Sequence, residues 1–145
     1  MRLSVQTDYA LRTLMFLAVK QGHHSIADIS RQYGISKNHL MKVAQRLAAE
    51  GYIQSVRGRG GGLKLARPAA SLNVGAIVRT MEDVGSFVEC FDPATNRCVV
   101  TPACGLRHVL AGAVEAFALH LDQFTVADLV EKKQEFGLLL DGVSR

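Results

Sequence analysis

The sequence predicts a mainly α-helical fold with one small β-hairpin: a winged helix-turn-helix, then a cysteine-bearing loop and a long helix. Three features support this prediction. Two helices are separated by a short glycine-containing turn, a glycine- and arginine-rich hairpin follows them, and a long apolar stripe lies in the last third of the chain. We place the winged helix-turn-helix region at 1–83, the loop at 84–104, and the long helix with the C-terminal tail at 105–145.

Charge is divided unevenly along the chain. Residues 1–67 contain eleven lysines and arginines against three acidic residues, whereas residues 68–145 contain six against ten. This excess of positive charge indicates that the first half contacts a polyanion such as DNA, although charge alone leaves open a solvated basic face.

Composition gives a broader class. A hydrophobic fraction of 48% in 145 residues is enough for one core. No stretch approaches the roughly 20 apolar residues that cross a bilayer, and no signal peptide is recognisable. We therefore expect a cytoplasmic protein with no membrane partner.

The first helix is predicted over residues 7–20, where apolar side chains recur at helical spacing. Thr7 or a neighbour is the expected N-cap, and Gly22 follows the end of the helix. Asp8 lies in the first turn, where the helix dipole favours an acidic residue. The side chains expected to face the core are Leu11, Leu14, Met15 and Ala18.

Two further helices form the predicted helix-turn-helix. Ser25 and Asp28 make a capping-box pattern at the start of a short helix over residues 26–33. A tight turn with a glycine follows, and Ser36 is the expected N-cap of a longer helix over residues 37–50. The expected core positions of the longer helix are Leu40, Val43, Ala44 and Leu47.

The opposite face of the longer helix is polar and basic. Hydroxyl, amide and cationic groups in this arrangement can bind phosphates and base edges in a major groove. The predicted DNA-contacting residues are Ser36, Lys37, Asn38, His39, Lys42 and Arg46. An ordinary helical hairpin is the alternative for this segment by itself.

The next segment favours the DNA-binding interpretation. Two short strands over residues 52–56 and 63–66 flank a glycine-rich turn, which makes a β-hairpin wing. Arg57 and Arg59 in this turn are predicted to reach phosphates or the minor groove. A nucleotide-binding loop is disfavoured because the turn has no Walker pattern and does not open a helix.

The second half is predicted to be helical around an irregular loop. A short helix is expected over residues 72–83, capped by Ser71 or Asn73, and a last short helix is expected to start at residues 125–128. Between them a near-heptad stripe exceeds the need of one small core, so we expect a homodimer. The stripe comprises Leu106, Leu110, Ala113, Phe117, Leu121 and Phe124, widened by Val109 and Ala116.

All three cysteines lie in one loop with the spacing C-x7-C-x5-C: Cys90, Cys98 and Cys104. Prolines and an asparagine between them exclude a regular element. Thiolates suit an iron–sulfur centre, while zinc is disfavoured because the C-x2-C pattern of common zinc modules is absent. Three ligands leave a four-coordinate centre one short, so another residue must complete it. Redox-active or buried thiols without a metal are the alternative.

Several motifs resemble the winged-helix repressor family that includes iron–sulfur regulators. The resemblance covers nearly the whole chain and rests on residues 3–12 (LSVQTDYALR), 35–43 (ISKNHLMKV) and 58–63 (GRGGGL), with the three cysteines. Three further segments are similar to the nitric-oxide-sensing subgroup of the family: 89–93 (ECFDP), 101–107 (TPACGLR) and 121–130 (LDQFTVADLV).

This resemblance implies a homodimeric repressor on a roughly palindromic operator. It implies that Cys90, Cys98 and Cys104 of each subunit hold a 4Fe–4S or 2Fe–2S cluster, with Asp8 of the other subunit as the fourth ligand. It also implies that nitric oxide alters the ligation and releases the DNA, which would switch on genes for nitric-oxide detoxification.

The sequence departs from another branch of the family. Regulators of the IscR type have a histidine ligand three residues after the last cysteine, whereas that position here is Arg107, with His108 one residue later. His108 and Glu89 remain rival candidates for the fourth ligand. Two other functions stay open: a regulator of the same fold that senses iron, cluster status or oxidative stress, and a thiol enzyme, for which no catalytic triad is recognisable.

Overall fold

The computed structural model describes residues 3–83 and 87–142 and confirms the predicted fold class. Six α-helices and a two-stranded antiparallel sheet lie within these ranges. The helices are α1 (Val5–Val19), α2 (Ile26–Tyr33), α3 (Lys37–Ala49), α4 (Val74–Met81), α5 (Gly105–Leu121) and α6 (Lys133–Gly142). The strands are β1 (Ile53–Val56) and β2 (Gly62–Leu65), and short 3-10 turns lie at Ala69–Ser71, Glu89–Phe91, Thr101–Ala103 and Asp128–Val130.

The start of α1 differs from the prediction. Ser4 is the N-cap, because its hydroxyl accepts a hydrogen bond from the amide of Thr7 at 3.2 Å, and Thr7 itself is buried inside the helix. The core-facing side is also rotated, since only Leu14 among the four expected side chains is fully buried. The buried residues of α1 are Thr7, Ala10, Thr13, Leu14, Phe16 and Leu17.

The helix-turn-helix is confirmed. The predicted capping box between Ser25 and Asp28 has both of its reciprocal hydrogen bonds, and α2 has the predicted length. Gly34 ends α2 in the left-handed conformation, with a φ of 65°. All four expected core positions of α3 are buried, so this helix presents its polar side to the outside.

The wing is attached to the loop between α1 and α2. Ile53 pairs with Leu65 and Val56 with Gly62 in the hairpin. Leu63 and His24 also exchange two backbone hydrogen bonds of 2.8 and 3.0 Å. The hairpin therefore leaves the domain from a fixed base.

The C-terminal part contributes to the same core. Val126 and Leu140 pack with residues of α1 to α4 and the hairpin. The predicted start of the last helix at residues 125–128 is wrong. A turn at Thr125 leads only into the Asp128–Val130 3-10 turn, and the last α-helix, α6, begins at Lys133. Helix α4 is likewise shorter than expected and is capped by Asn73. No helix in the described ranges has the length and hydropathy to cross a membrane.

Candidate DNA-binding surface and cysteine loop

The outward face of α3 is mostly polar, with Met41 as an exposed apolar residue within it. Its exposed residues include every one predicted to contact DNA on this helix: Ser36, Lys37, Asn38, His39, Lys42 and Arg46. The hydroxyl of Ser36 makes no capping hydrogen bond, so it is available to a ligand. At the same end of the helix, the His39 ring lies 6.1 Å from the ring of Tyr9 in α1.

Arg46 differs from the other basic residues of this face. Its guanidinium donates one hydrogen bond to the carbonyl of Met81 at 3.2 Å and another to the carbonyl of Thr80. These are the last carbonyls of α4, so the cationic end of Arg46 is engaged within the domain. The prediction that Arg46 contacts DNA has no direct support from this placement.

The wing tip adds two further cations. Arg57 and Arg59 are exposed in the turn between the strands. Across residues 3–83 and 87–142, no acidic side chain forms an ion pair with Lys37, Lys42, Arg57 or Arg59. Four unpaired cations per chain are therefore available to the phosphates of a nucleic acid.

The cysteine loop holds its thiols free and accessible. Cys90 and Cys104 are half-buried, Cys98 is exposed, and none forms a disulfide. Cys104 is the N-cap residue of α5, so its thiolate would lie at the positive end of the helix dipole. Arg107, one turn into α5, donates a hydrogen bond to the carbonyl of Cys90 at 3.1 Å. Two of the three cysteines are thus attached to the start of α5.

The third cysteine is held by its neighbours in the loop. The amide of Cys98 donates to Oδ1 of Asn96 at 3.1 Å, and its carbonyl accepts from Thr101 at 2.8 Å. Glu89, a rival ligand candidate, accepts a hydrogen bond from the amide of Arg97. His108, the other rival, is exposed on α5.

The donor set fits an iron–sulfur cluster in kind, since three thiols in one accessible loop are the ligands that such clusters take. Its arrangement is open, because no group of three or more potential ligands lies together in the described part of this single chain. Asp8 lies in α1 and pairs with Arg12, with Oδ2 at 2.9 Å from the guanidinium. Its side chain is 45% exposed and is therefore accessible from outside the chain.

The predicted stripe of the long helix is divided between two faces. One set is half-buried and faces the domain: Leu110, Phe117 and Leu121 of the stripe, with Val114 and Ala118, which were not predicted to belong to it. The other set is exposed: Leu106, Val109, Ala113 and Ala116. None of the 17 residues of α5 is fully buried, with Leu106 at 64% and Val109 at 68% exposure. Such a helix is incompletely covered by its own chain.

Sequence analysis missed several residues that shape the site. Arg107 was noted only as the residue in place of a histidine, Asn96 only as a residue that interrupts regular structure, and Thr101 was not singled out. The turn-forming tendency of asparagine and threonine could have indicated the last two. Nothing local could have indicated the ion pair between Arg79 of α4 and Asp122, because 43 residues separate them.

Comparisons with known proteins agree with this geometry. The chain matches the Rrf2 family, described as iron-dependent transcriptional regulators, over residues 3–132. It is 46% identical over 142 residues to the HTH-type transcriptional regulator NsrR of Bacillus subtilis (strain 168), covering 97% of each chain. It is 40% identical over 147 residues to NsrR of Oceanobacillus iheyensis, covering 100% of this chain and 99% of the other.

Solved structures give the same picture. The fold is similar to that of T. potens IscR, with a TM-score of 0.71 at 28% identity, covering 93% of this chain and 90% of the other. It is also similar to the oxidised form of Staphylococcus aureus CymR, with a TM-score of 0.68 at 28% identity, covering 90% and 97%.

Proposed function

The chain belongs to the Rrf2 family of iron-dependent transcriptional regulators, and we propose that it is an iron–sulfur repressor that releases operator DNA in response to nitric oxide. Its target genes would serve nitric-oxide detoxification, and it would act in the cytoplasm. Family membership makes it a DNA-binding regulator and not an enzyme, which removes the thiol-enzyme alternative. The three free thiols in one loop beside a winged helix-turn-helix carry the finer proposal.

The proposed DNA contacts come from α3 and the wing. The exposed polar face of α3 would enter the major groove, with Asn38 and His39 near base edges and Lys37 and Lys42 near phosphates. The wing arginines would reach the flanking backbone or the minor groove. Their lack of acidic partners in the described part of the chain leaves their charge available for this purpose.

The proposed homodimer is built on α5. Helix α5 has 17 residues, none of them buried, and it exposes Leu106 and Val109. A second apolar surface is needed to remove these side chains from water. A second copy of the same helix supplies that surface with closed two-fold symmetry. A dimer would place two recognition helices at a fixed separation, which matches a palindromic operator.

The proposed cluster ligands are Cys90, Cys98 and Cys104, with Asp8 of the second subunit as the fourth. A bound cluster would supply iron atoms that nitric oxide can attack. The chain's own contribution is to hold Cys90 through Arg107 and to place Cys104 at the N-terminus of α5. Ligation by Asp8 would have to compete with its ion pair to Arg12. As the single carboxylate among thiolates, Asp8 would be the most easily displaced ligand of the set.

The test is anaerobic purification followed by titration with nitric oxide, with absorbance and operator binding measured on the same samples. The operator is a duplex selected by the protein from a random-sequence pool. We expect a brown protein whose thiolate-to-iron absorption is lost as its affinity for the duplex falls, by about 5- to 150-fold for a typical coupling. An iron-loaded protein that keeps its affinity after complete nitrosylation would overturn the proposal.

Ligand variants refine this test. Cys98→Ser should lose the cluster absorption while keeping the helical circular dichroism spectrum, because Cys98 is exposed and contributes little to the core. Asp8→Ala should change the absorption spectrum of the cluster in the dimer. It should also weaken the effect that nitric oxide at the cluster has on operator affinity. If Asp8→Ala kept the spectrum, the operator affinity and the nitric-oxide response, Asp8 would not be the fourth ligand.

A thiol-redox regulator of the same fold is the second candidate. It is supported by the free and accessible thiols, and by the similarity to a CymR structure whose oxidised form is known. This candidate predicts a colourless protein that cannot be reconstituted with iron and sulfide but changes its DNA affinity on mild thiol oxidation.

A further inference from the structure

Helix α4 lies between the recognition helix α3 and the dimerisation helix α5 and is bonded to both. In the last turn of α4, Arg79 donates to Oδ1 of Asp122 at 2.7 Å and makes a second hydrogen bond to Oδ2. At the start of α4, the side-chain amide of the N-cap residue Asn73 donates to the backbone carbonyl of Asp122 at 2.7 Å. Asp122 is the C-cap of α5, so these bonds join both the N-cap and the last turn of α4 to the end of α5.

The two helix ends are also in close contact. A Cβ atom at Gly75 would lie only 2.1 Å from Oδ1 of Asp122, so a glycine is required for this approach. The backbone amide of Val74 donates to the carbonyl of Phe124 at 2.9 Å. Hydrogen bonding by Arg79 lowers the pKa of Asp122, which agrees with a carboxylate that stays ionised in this contact.

The C-terminal end of α4 is also bonded to the recognition helix. Arg46 of α3 donates to the carbonyls of Thr80 and Met81, which belong to the last turn of α4. These carbonyls have no partner within their own helix and form the negative end of its dipole. A planar guanidinium with several donors can satisfy two of them at once. Next to them, the hydroxyl of Tyr52 lies 3.1 Å from Oγ1 of Thr80.

We propose that α4 sets the position of the recognition helix relative to the dimerisation helix, with Asp122 bonded to the N-cap residue and to Arg79 of α4, and Arg46 bonded to its last carbonyls. Arg46 is therefore a positioning residue and not a phosphate contact, although it is exposed on the same face as Lys42. The proposal rests on the homodimer proposed above, because only a dimer gives the position of the recognition helix a consequence for operator binding. Two half-sites about one helical turn apart demand a defined separation of the two recognition helices.

The two roles for Arg46 predict different salt dependence. The slope of log K against log salt concentration is negative, and each residue that neutralises a phosphate adds about 0.9 to its magnitude. Loss of such a residue from both subunits therefore reduces the magnitude of the slope by about 1.8. A positioning residue leaves the number of neutralised phosphates unchanged. Substitution of a positioning residue therefore lowers the affinity for the operator without changing the slope.

The experiment uses the full-length protein before nitric oxide is added. Dissociation constants are measured at several salt concentrations for the selected operator duplex and for a random-sequence duplex of equal length. The variants are Arg46→Met, Arg46→Lys and, as the matched phosphate-contact control, Lys42→Met on the same helix face. Circular dichroism and thermal unfolding establish that each variant is folded.

We expect both Arg46 variants to weaken operator binding about 5-fold or more with an unchanged slope and unchanged binding of the random duplex. Lysine keeps the charge but loses the planar donor pair, so it should not rescue the contact. Lys42→Met should reduce the magnitude of the slope by about 1.8 and weaken binding of both duplexes. If Arg46→Met is poorly folded, the comparison of Arg46→Lys with the wild type decides the question.

Three results would overturn the proposal. The first is a slope of reduced magnitude for Arg46→Met together with wild-type behaviour of Arg46→Lys, and the second is wild-type binding by both variants. The third is a wild-type protein that is monomeric in sedimentation at the concentrations that bind DNA. A failure of the nitric-oxide response is distinguishable from these results. It would remove the proposed signal, while the salt dependence measured without nitric oxide would still decide the role of Arg46.

Discussion

At the level of single residues, the same capping motif has two different outcomes. Ser25 and Asp28 exchange hydrogen bonds through the backbone amide of each residue and the side chain of the other, and so do Thr125 and Asp128. The first pair opens the α-helix α2, whereas the second opens only a 3-10 turn. The motif therefore selects the first turn of a helix, while the residues after it decide whether the helix continues.

The capping carboxylate of Asp28 makes stability depend on pH. Hydrogen bonds from Ser25 lower the pKa of Asp28 below its ordinary value of 3.8. Folding therefore favours the ionised form, and the resulting stability is present above pH 3.8 and is lost as the pH falls through the lower pKa of the folded state. We expect Asp28→Asn to cost about 1 kcal/mol at pH 7 and progressively less below pH 3.8, measured by urea unfolding.

The matched control for Asp28→Asn is Glu131→Gln, which removes an exposed carboxylate that accepts no hydrogen bond in the described part of the chain. Its unfolding free energy should follow that of the wild type at each pH. An equal loss of stability for Asp28→Asn at neutral and acidic pH would show that charge is not the cause.

Gly62 allows the wing to approach the loop before α2. Its φ is +146°, and a Cβ atom there would lie 2.8 Å from the backbone carbon and oxygen of His24. Gly60 also has a positive φ, of +80°, but a Cβ there meets no atom within 4 Å. Both alanine substitutions should cost roughly 1–2 kcal/mol from backbone strain, and Gly62→Ala should cost more because the hairpin must separate from His24. Equal losses in urea unfolding would contradict this steric argument.

At the level of secondary-structure elements, α5 has one half-buried side and one uncovered side. The side that includes Phe117 and Leu121 faces the rest of the chain, and the side that includes Val109 is exposed. The predicted stripe combined residues from both sides. A wide apolar surface on one helix therefore served two contacts, one within the chain and one proposed to lie between subunits.

The proposed dimer contact predicts a strong effect at Val109. Val109→Glu should shift the protein from dimer to monomer in sedimentation velocity, because a charge would be buried in an apolar interface. Val109→Ala at the same position keeps the surface apolar and should leave a dimer. If the glutamate variant stayed dimeric with an unchanged dissociation constant, the exposed side of α5 would not be the interface.

At the level of the whole molecule, the division of charge has a structural counterpart. The basic first half contains α3 and the wing, which expose Lys37, Lys42, Arg57 and Arg59 without ion pairs in the described ranges. The acidic second half contains α5 and α6. A dimer built on the second half would direct the two basic surfaces toward DNA and keep the acidic parts away from it.

This arrangement predicts the salt dependence of operator binding. Four available cations in each subunit give about eight phosphate contacts in a dimer, and therefore a slope of about −7 for log K against log salt concentration. The measurement is a series of binding titrations with the selected duplex from about 50 to 200 mM salt. A slope near −2 would contradict simultaneous phosphate contacts by α3 and the wing.

Much of the DNA-binding region could be predicted because its signals are local. The capping box at Ser25, the left-handed glycine at position 34 and the glycine-rich turn of the wing each act within a few residues. The buried stripe of α3 follows from helical periodicity together with one strongly polar face. The three cysteines were recognisable as a group because they lie close together in the sequence.

The sequence by itself therefore determined the helix-turn-helix, the wing and the cysteine loop. Only the tertiary structure decided which side of α1 faces the core, how the apolar surface of α5 is divided, and that Arg46 bonds to the end of α4. The physical reason is the distance along the chain. Arg46 and Met81 are 35 residues apart and Asp122 and Arg79 are 43 apart, so their contacts depend on how packed elements meet and leave no periodic or capping signal in either segment.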